Sequence, residues 1–139
     1  MKHDPRLNGL SSEHHQALVL ARHLTEEEHP WTAEDGVTLG TRFVLEFEPH
    51  FRVEEEVLIP ALRRAGATSL VDRIAADHAF LRSSVEAARG GDAWAARAFG
   101  ERLRDHVRFE EREVFPACAE TLPDDVLDEV ARRAPKEHQ

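Results

Sequence analysis

Two short segments of the chain repeat the same pair of residues, a histidine followed four residues later by a glutamate. His50 and Glu54 form the first pair, and His106 and Glu110 form the second, 56 residues further on (106 − 50). Residues four apart lie on one face of an α-helix, so each pair would direct an imidazole and a carboxylate towards the same point. Two such pairs facing each other would offer nitrogen and oxygen ligands to metal ions. A His/Glu metal site is therefore the first hypothesis for this chain.

A lone histidine precedes each pair, and both lone histidines lie in rows of apolar residues. His14 follows Leu10 and precedes Ala17, while His78 follows Ile74 and precedes Leu81, at helical spacings of three and four. A histidine on such a face is more often a hydrogen-bonded core residue than a metal ligand. Here, however, six polar groups would enter one core, each costing about 1–3 kcal/mol without a partner, and a metal would satisfy all of them. We predict six metal ligands: His14, His50, Glu54, His78, His106 and Glu110.

Two other histidines, His15 and His23, lie near His14 in the sequence. His15 competes with His14 for the first position, or could stand at the entrance of the site, or on the surface. A third His-x-x-x-Glu match, His23 with Glu27, begins nine residues beyond His14 and so falls on the opposite helix face, where we predict a solvated pair.

Four acidic residues lie next to predicted ligands in the sequence. Glu55 and Glu111 directly follow the ligand glutamates, and we predict that they form a charged face in contact with arginine or solvent. Glu13 and Asp77 directly precede the lone histidines. They could support ligands through hydrogen bonds, but the favoured interpretation is that they are solvated.

The ligand set itself restricts the metal. Six nitrogen and oxygen ligands without cysteine argue against structural zinc and iron–sulfur clusters, and they exceed what one tetrahedral ion needs. The number suits two ions bridged by Glu54 and Glu110, each ion capped by two histidines. Neutral imidazoles leave more positive charge on the metals than carboxylates do, which favours binding of electron-rich dioxygen, peroxide or nitric oxide.

The elements that would position these residues are helices. Apolar residues recur at helical spacing along nearly the whole chain, and the alternation typical of strands is almost absent. Cap and stop signals divide the pattern into four long helices and a short fifth one. Their predicted limits are Ser11–Ser12 to Glu26–Glu28, Thr32 to about Arg64, Thr68 or Ser69 to Gly90–Gly91, Asp92 to about Cys118, and 124–130.

Short turns between long helices predict an all-α, antiparallel up-down four-helix bundle that forms a single domain over residues 1–139. Pro49 lies inside the second predicted helix and is expected to kink it just ahead of His50. Pro60 and Pro116 follow the two ligand glutamates and are expected to bend or end their helices just beyond the site.

The ordered set of a lone histidine, a His-x-x-x-Glu pair, a second lone histidine and a second pair resembles the hemerythrin-like HHE cation-binding domains. The resemblance covers about residues 7 to 120. It implies a four-helix bundle with two iron ions joined by an oxo or hydroxo bridge. Oxygen-carrying members of the family place a further ligand histidine one turn before the position of His78. This chain has Ile74 there, so only four histidines match unless His15 supplies a fifth. The resemblance therefore implies an open or water-filled coordination position.

Three functions are compatible with these patterns. The first is a non-haem di-iron protein that binds dioxygen or a related ligand for carriage, sensing of oxygen, iron or redox state, or storage. The second is an enzyme that reacts with peroxide, like a catalase or peroxidase, or with nitric oxide, and whether the chain is an enzyme stays open. The third is a metal-free helical interaction module.

Composition narrows the possible partners and compartment. A formal net charge of −9 over 139 residues argues against binding to nucleic acids or anionic membranes. No apolar stretch approaches a membrane span or a signal sequence, and the single Cys118 suits a reducing compartment. We therefore expect a cytoplasmic protein whose partner is a small molecule. The sequence does not indicate an oligomeric state.

Overall fold

The computed structural model describes residues 3–26 and 30–134, which form five helices and no β-strand. A short 3₁₀ turn at Pro5–Leu7 leads directly into the first helix. The helices are α1 (Asn8–Glu26), α2 (33–64), α3 (Thr68–Arg89), α4 (93–121) and α5 (Asp124–Arg133). None of the helices in these ranges combines the length and apolar character needed to cross a membrane.

Four of the five helices form the expected antiparallel bundle. α1 packs against α4, α4 against α3, and α3 against α2, while the short α5 packs against the 3₁₀ turn and the middle of α2. Arg6 in the 3₁₀ turn fixes this last contact, because its guanidinium donates to the carboxylates of Asp124 at 3.1 Å and Asp128 at 2.9 Å. The all-α bundle with a short C-terminal helix is thus confirmed.

The cap signals explain where α2 and α4 begin. Thr32 and Asp35 form the predicted capping box, each side chain accepting a hydrogen bond from the other's backbone N–H at 3.0 Å. The Asp92 side chain accepts from the backbone N–H of Ala95 at 3.0 Å, as predicted for the start of α4. The predicted cap of α3 is wrong, since Ala67 precedes the helix and provides no side-chain cap.

The predicted start of α1 at Ser11–Ser12 is also wrong. The Asp4 side chain caps the preceding 3₁₀ turn by accepting from the N–H of Arg6 at 2.9 Å, and the helix follows without a break. Ser12 instead lies inside α1, where its hydroxyl donates to the carbonyl of Gly9 at 2.9 Å. A serine hydroxyl can cap a helix start, or it can donate to a backbone carbonyl inside a helix. The Ser11–Ser12 pair is therefore an ambiguous signal in the sequence.

The long helices α2 and α4 each contain wide π turns that end two residues before a proline. These turns are Phe43–Phe47 before Pro49, Glu54–Leu58 before Pro60, and Glu110–Val114 before Pro116. A proline lacks the N–H that would bond four residues back, and its ring clashes with that carbonyl. The residue ahead of the proline donates five residues back instead, as Ile59 does to Glu54 and Phe115 to Glu110.

These wide turns change the outcome expected from the prolines. Both helices continue beyond Pro60 and Pro116, to Arg64 and Thr121. Of the two expected outcomes, a bend or an end of the helix, the end is therefore wrong. At Pro49, where a kink was expected, the helix accommodates the ring through the π turn that precedes it. The helices remain continuous past the ligand positions.

The buried apolar residues form two clusters, and the predicted ligands lie where one cluster gives way to the other. In α1, Leu10 belongs to the first cluster and Ala17 to the second, with His14 between them. In α3, Ile74 and Leu81 flank His78 in the same way. The first cluster also contains the buried residues of α5 and the second contains the phenylalanines at the other end of α2. The bundle therefore holds a polar layer between two apolar ones.

Candidate metal centre

The structure brings the six predicted ligands together inside the bundle. All six side chains are buried, and Glu54 and Glu110 are completely inaccessible to solvent. Each helix of the bundle contributes, α1 through His14 and α3 through His78, and α2 and α4 through one His-x-x-x-Glu pair each. The i, i+4 spacing directs both side chains of a pair to the same point, as predicted, because His50 Nε2 lies 3.0 Å from Glu54 Oε2 on the same helix.

The six residues form two groups of four potential ligands. The first group is His14, His50, Glu54 and Glu110, and the second is Glu54, His78, His106 and Glu110. Within each group, one ligand atom from every residue lies within 4.8 Å of the others. Both glutamates belong to both groups, whereas each histidine belongs to one.

Each shared carboxylate directs one oxygen into each group. Glu54 Oε2 lies 3.0 Å from His50 Nε2 in the first group, and its Oε1 lies 2.9 Å from His78 Nε2 in the second. Glu110 Oε1 lies 2.9 Å from His14 Nε2, and its Oε2 lies 3.3 Å from His106 Nε2. This is the arrangement needed for two carboxylates to connect two neighbouring cations.

Three atoms at the centre of this cluster lack a hydrogen-bond partner among the described residues: Glu54 Oε2, Glu110 Oε2 and His106 Nε2. Imidazole nitrogens lie close to both oxygens, but not in hydrogen-bonding geometry. A buried polar atom left in this state costs about 1–3 kcal/mol. A cation between the two carboxylates would engage all three atoms, so the donor set fits a metal.

The outward-facing nitrogens of the histidines are held by a second set of carboxylates. His14 Nδ1 lies 2.6 Å from Glu111 Oε2, and His78 Nδ1 lies 2.7 Å from Glu55 Oε2. The prediction that Glu55 and Glu111 merely form a charged face in contact with arginine or solvent is therefore wrong. Reasoning within one helix missed these contacts because each carboxylate reaches a histidine on the neighbouring helix.

The same correction applies to the acidic residues that precede the lone histidines. His50 Nδ1 lies 2.6 Å from Glu13 Oε1, and His106 Nδ1 lies 2.9 Å from Asp77 Oδ2. A carboxylate that accepts from Nδ1 leaves the lone pair of Nε2 directed towards the centre. Support through hydrogen bonds, the less favoured alternative for these two residues, is what the structure has. The sequence signal for all four carboxylates was their recurrence beside equivalent ligands in both halves.

Arginines in turn hold part of this outer set. Asp77 accepts from Arg73 Nε and Arg102 Nη1, both at 3.0 Å, and Arg82 Nη1 donates to Glu55 at 2.7 Å. Burial tends to raise the pKa of Asp77, but the facing His106 and Arg73 outweigh it and hold that pKa below its usual value. The carboxylate is therefore ionised at neutral pH and orients the ring of His106.

The ligand glutamates are also ionised. Burial and mutual repulsion tend to raise the pKa of Glu54, yet the facing imidazoles lower it below the usual value. Burial has the same tendency at Glu110, where His106 and the other imidazoles hold the pKa well below its ordinary range. Ionised carboxylates are the form that binds a cation.

Several residues considered from the sequence lie outside this centre. His15 and His23 are exposed, so neither joins the ligand groups, and Glu27 lies outside the described residues. Ile74 is completely buried one turn before His78, among apolar neighbours of the first cluster. Neither His15 nor the residue at position 74 therefore supplies a fifth imidazole to the centre.

A cavity of about 490 Å³ between α1 and α2 reaches the centre from outside. His14, His50 and His106 line its inner end, while His78 does not. A small molecule entering here would meet the imidazoles of the first group and one of the second.

Comparison with models of known protein families places residues 6–118 in the hemerythrin HHE cation binding domain. Curated proteins and solved structures gave no match. The matched range agrees closely with the part of the chain over which the resemblance was recognised. Because it spans most of the chain and contains both ligand groups, the protein belongs to the hemerythrin HHE cation-binding domain family.

Proposed function

We propose that this chain is a non-haem di-iron protein that binds dioxygen or a related small ligand. One observation carries the proposal: the two buried glutamates each direct one oxygen into each of two histidine pairs. Two connected cation positions of this kind suit a dinuclear centre better than a single ion. The family supports cation binding, and the choice of iron rests on the ligand chemistry.

The ligand types favour iron over the common alternatives. Cys118 is absent from both ligand groups, so thiolate ligation of zinc or an iron–sulfur cluster has no basis among the described residues. Each position has two imidazole nitrogens and two carboxylate oxygens, a mixture typical of non-haem iron. Calcium and magnesium would prefer oxygen ligands alone.

The protein residues have separable tasks in this proposal. Glu54 and Glu110 would hold the two ions together and neutralise part of their charge, and two imidazoles would complete each position. The outer carboxylates fix the ring orientation of the histidines. Four protein atoms per ion leave further positions free on a six-coordinate metal, and iron held there supplies redox-active Lewis acidity to an electron-rich ligand. Carriage, sensing and storage all use this binding step.

A second candidate is an enzyme that reacts with peroxide or nitric oxide. The cavity that reaches His14 and His50 favours it, because reactants and products could exchange without opening the bundle. Ile74 in place of a further imidazole favours it as well, since a less saturated iron can accept a second reactant. A catalase-like activity would appear as oxygen evolution from hydrogen peroxide well above the rate of free iron.

Metal analysis combined with absorption spectroscopy tests the proposal. Protein loaded anaerobically with ferrous iron and then exposed to air should retain two irons per chain and develop near-ultraviolet bands from an oxo or hydroxo bridge. Glu54→Gln and Glu110→Gln should lose most of the iron, because each change removes the charge of a shared ligand. Glu113→Gln makes the same change at an exposed site of α4, the helix that carries Glu110, and this variant should retain its iron.

Retention of one zinc ion, or of no metal after reconstitution, would refute the di-iron proposal, and retention of no metal would favour the metal-free interaction module. Equal iron contents in Glu54→Gln and Glu113→Gln would refute the assignment of the ligands. A stable dioxygen adduct without peroxide turnover would support binding over the enzyme.

A further inference from the structure

The cavity between α1 and α2 is much larger than a diatomic ligand requires. Its volume is about 490 Å³, whereas a water molecule occupies about 30 Å³ in the liquid. Pockets of about 300–1,000 Å³ are typical of sites for organic molecules. Dioxygen, peroxide or nitric oxide would fill only a small part of it.

The walls and the inner end of the cavity differ in chemistry. Hydrocarbon side chains form most of the wall, with Ala17 from α1, Phe47 and Phe51 from α2, and Leu103 and Val107 from α4. The inner end is the row of site imidazoles described above. A molecule that fills the cavity should therefore have an apolar body and one polar head group.

The charged residues at the mouth are already paired with neighbours. Glu46 accepts from Arg42 at 3.1 Å, and Arg133 donates to Glu56 at 2.7 Å. Glu13 accepts from the Nδ1 of a site histidine at 2.6 Å. The mouth therefore exerts little net preference for either sign of charge, and the inner end decides which head group is accepted.

The inner end favours an anionic oxygen donor. The imidazole nitrogens of His14 and His50 already face carboxylate oxygens of Glu110 and Glu54 at 2.9 and 3.0 Å, so a ligand head group would bind the iron beside these rings rather than the rings themselves. Bound iron would add positive charge beyond what the two glutamates neutralise, and hard cations prefer oxygen ligands. A neutral or cationic head would lose this attraction.

We propose that this cavity binds a medium-chain aliphatic monocarboxylate, with its head at the iron position beside His14 and His50 and its chain along Ala17, Phe47 and Leu103. The inference rests on the proposed function, because the head group binds at the iron positions. It identifies a ligand class for the site beyond diatomic molecules. Such a ligand covers the centre and controls the access of smaller reactants.

Calorimetric titration of the iron-loaded protein with acetate, butyrate, hexanoate and octanoate tests this assignment. Affinity should rise about fourfold for each added methylene that the walls bury. Hexanol should bind far more weakly than hexanoate, since it lacks the anionic head. Equal affinities for acetate and octanoate would overturn the inference, because they would show binding of the head alone.

Two matched pairs of variants locate the binding site. Gln16→Trp should narrow the mouth and weaken octanoate binding by about tenfold or more, while His15→Trp, an exposed neighbour outside the cavity, should leave it unchanged. Leu45→Glu adds a like charge at the mouth and should weaken binding, whereas Val44→Glu, equally exposed but outside this cavity, should not. Equal behaviour within both pairs would overturn the assignment.

The iron content of each sample separates the two hypotheses. Two irons per chain without chain-length dependence would refute the carboxylate site and leave the proposed di-iron function intact. Protein that retains no iron would refute both. Octanoate that shifts the near-ultraviolet bands of the iron-loaded protein with the same midpoint as the calorimetric titration would support both.

Discussion

Asp77 offers the sharpest test of the idea that outer carboxylates build this centre. The side chain is fully buried and accepts from three donors: His106 Nδ1 at 2.9 Å, Arg73 Nε at 3.0 Å and Arg102 Nη1 at 3.0 Å. Asp77→Asn preserves the size of the side chain but removes its charge. The new amide NH₂ must also face at least one donor, which leaves that contact repulsive.

The expected magnitude follows from the burial of each partner. The bond to His106 is buried and involves a charged acceptor, so its loss should cost about 1.5–3 kcal/mol. Arg73 and Arg102 are 44% and 35% exposed, and solvent screening limits each of their contributions to about 1 kcal/mol or less. The free energy of unfolding of the metal-free protein should therefore fall by about 2–4 kcal/mol.

The effect on metal binding should be separate and measurable. Without the carboxylate behind it, His106 loses the restraint that directs Nε2 towards the centre, and metal affinity should fall by about 10- to 100-fold. Competition with a chromophoric chelator measures that affinity, and urea denaturation measures stability. Asp72→Asn, the same change at an exposed position of α3, serves as the control and should alter neither quantity.

Asp77→Asn protein that binds metal as tightly as the parent would refute the reasoning. That result would mean that the outer carboxylates support the fold but do not orient the ligands. A loss of stability alone would thus indicate that Asp77 supports the fold. A loss of metal affinity in folded protein would indicate that Asp77 orients the ring of His106.

Three further predictions use other parts of the molecule. Burial raises the pKa of Cys118 to about 12, so iodoacetamide at pH 8 should label it only after denaturation, and labelling of native protein detected by mass spectrometry would contradict this. Phe51 stacks on His78 with ring centroids 3.9 Å apart, and Phe51→Ala should lower the free energy of unfolding by about 3–5 kcal/mol, measured in urea, whereas a loss below about 1 kcal/mol would argue against tight packing here. Ile74→His should destabilise metal-free protein by about 1–3 kcal/mol, and iron should restore part of this loss; equal losses with and without iron would show that the new imidazole does not reach the metal.

The convergence of the six candidate ligands could be predicted from the sequence because helix geometry relates spacing to direction. Residues four apart on an apolar face must point into the bundle, and the recurrence of the pattern indicated that two such faces meet. Predicting the candidate ligands did not require knowing which helices are neighbours, because all four apolar faces converge on one core. The same reasoning placed His23 on the outside, where the structure has it.

The outer carboxylates could not be placed in this way. Glu55 and Glu111 lie about 100° round the helix from the ligand face, so a single helix directs them towards solvent. In the bundle that direction leads to the adjacent helix, where His78 and His14 present their Nδ1 atoms. Their role depends on the order of the helices around the bundle, which local spacing does not encode.

Two prolines influence both the spacing within each helix and the packing between helices. Pro60 and Pro116 occupy equivalent positions in the two halves, and each forces a π turn that begins at the ligand glutamate. A π turn accommodates one extra residue in a turn of the helix, so it shifts the face of the residues after the glutamate relative to those before it. The glutamate keeps its spacing of four from the histidine of its pair. The next turn of the helix packs into the first apolar cluster. Because both halves carry the same proline, both carboxylates enter the centre from equivalent directions, and each can divide its two oxygens between the two histidine pairs.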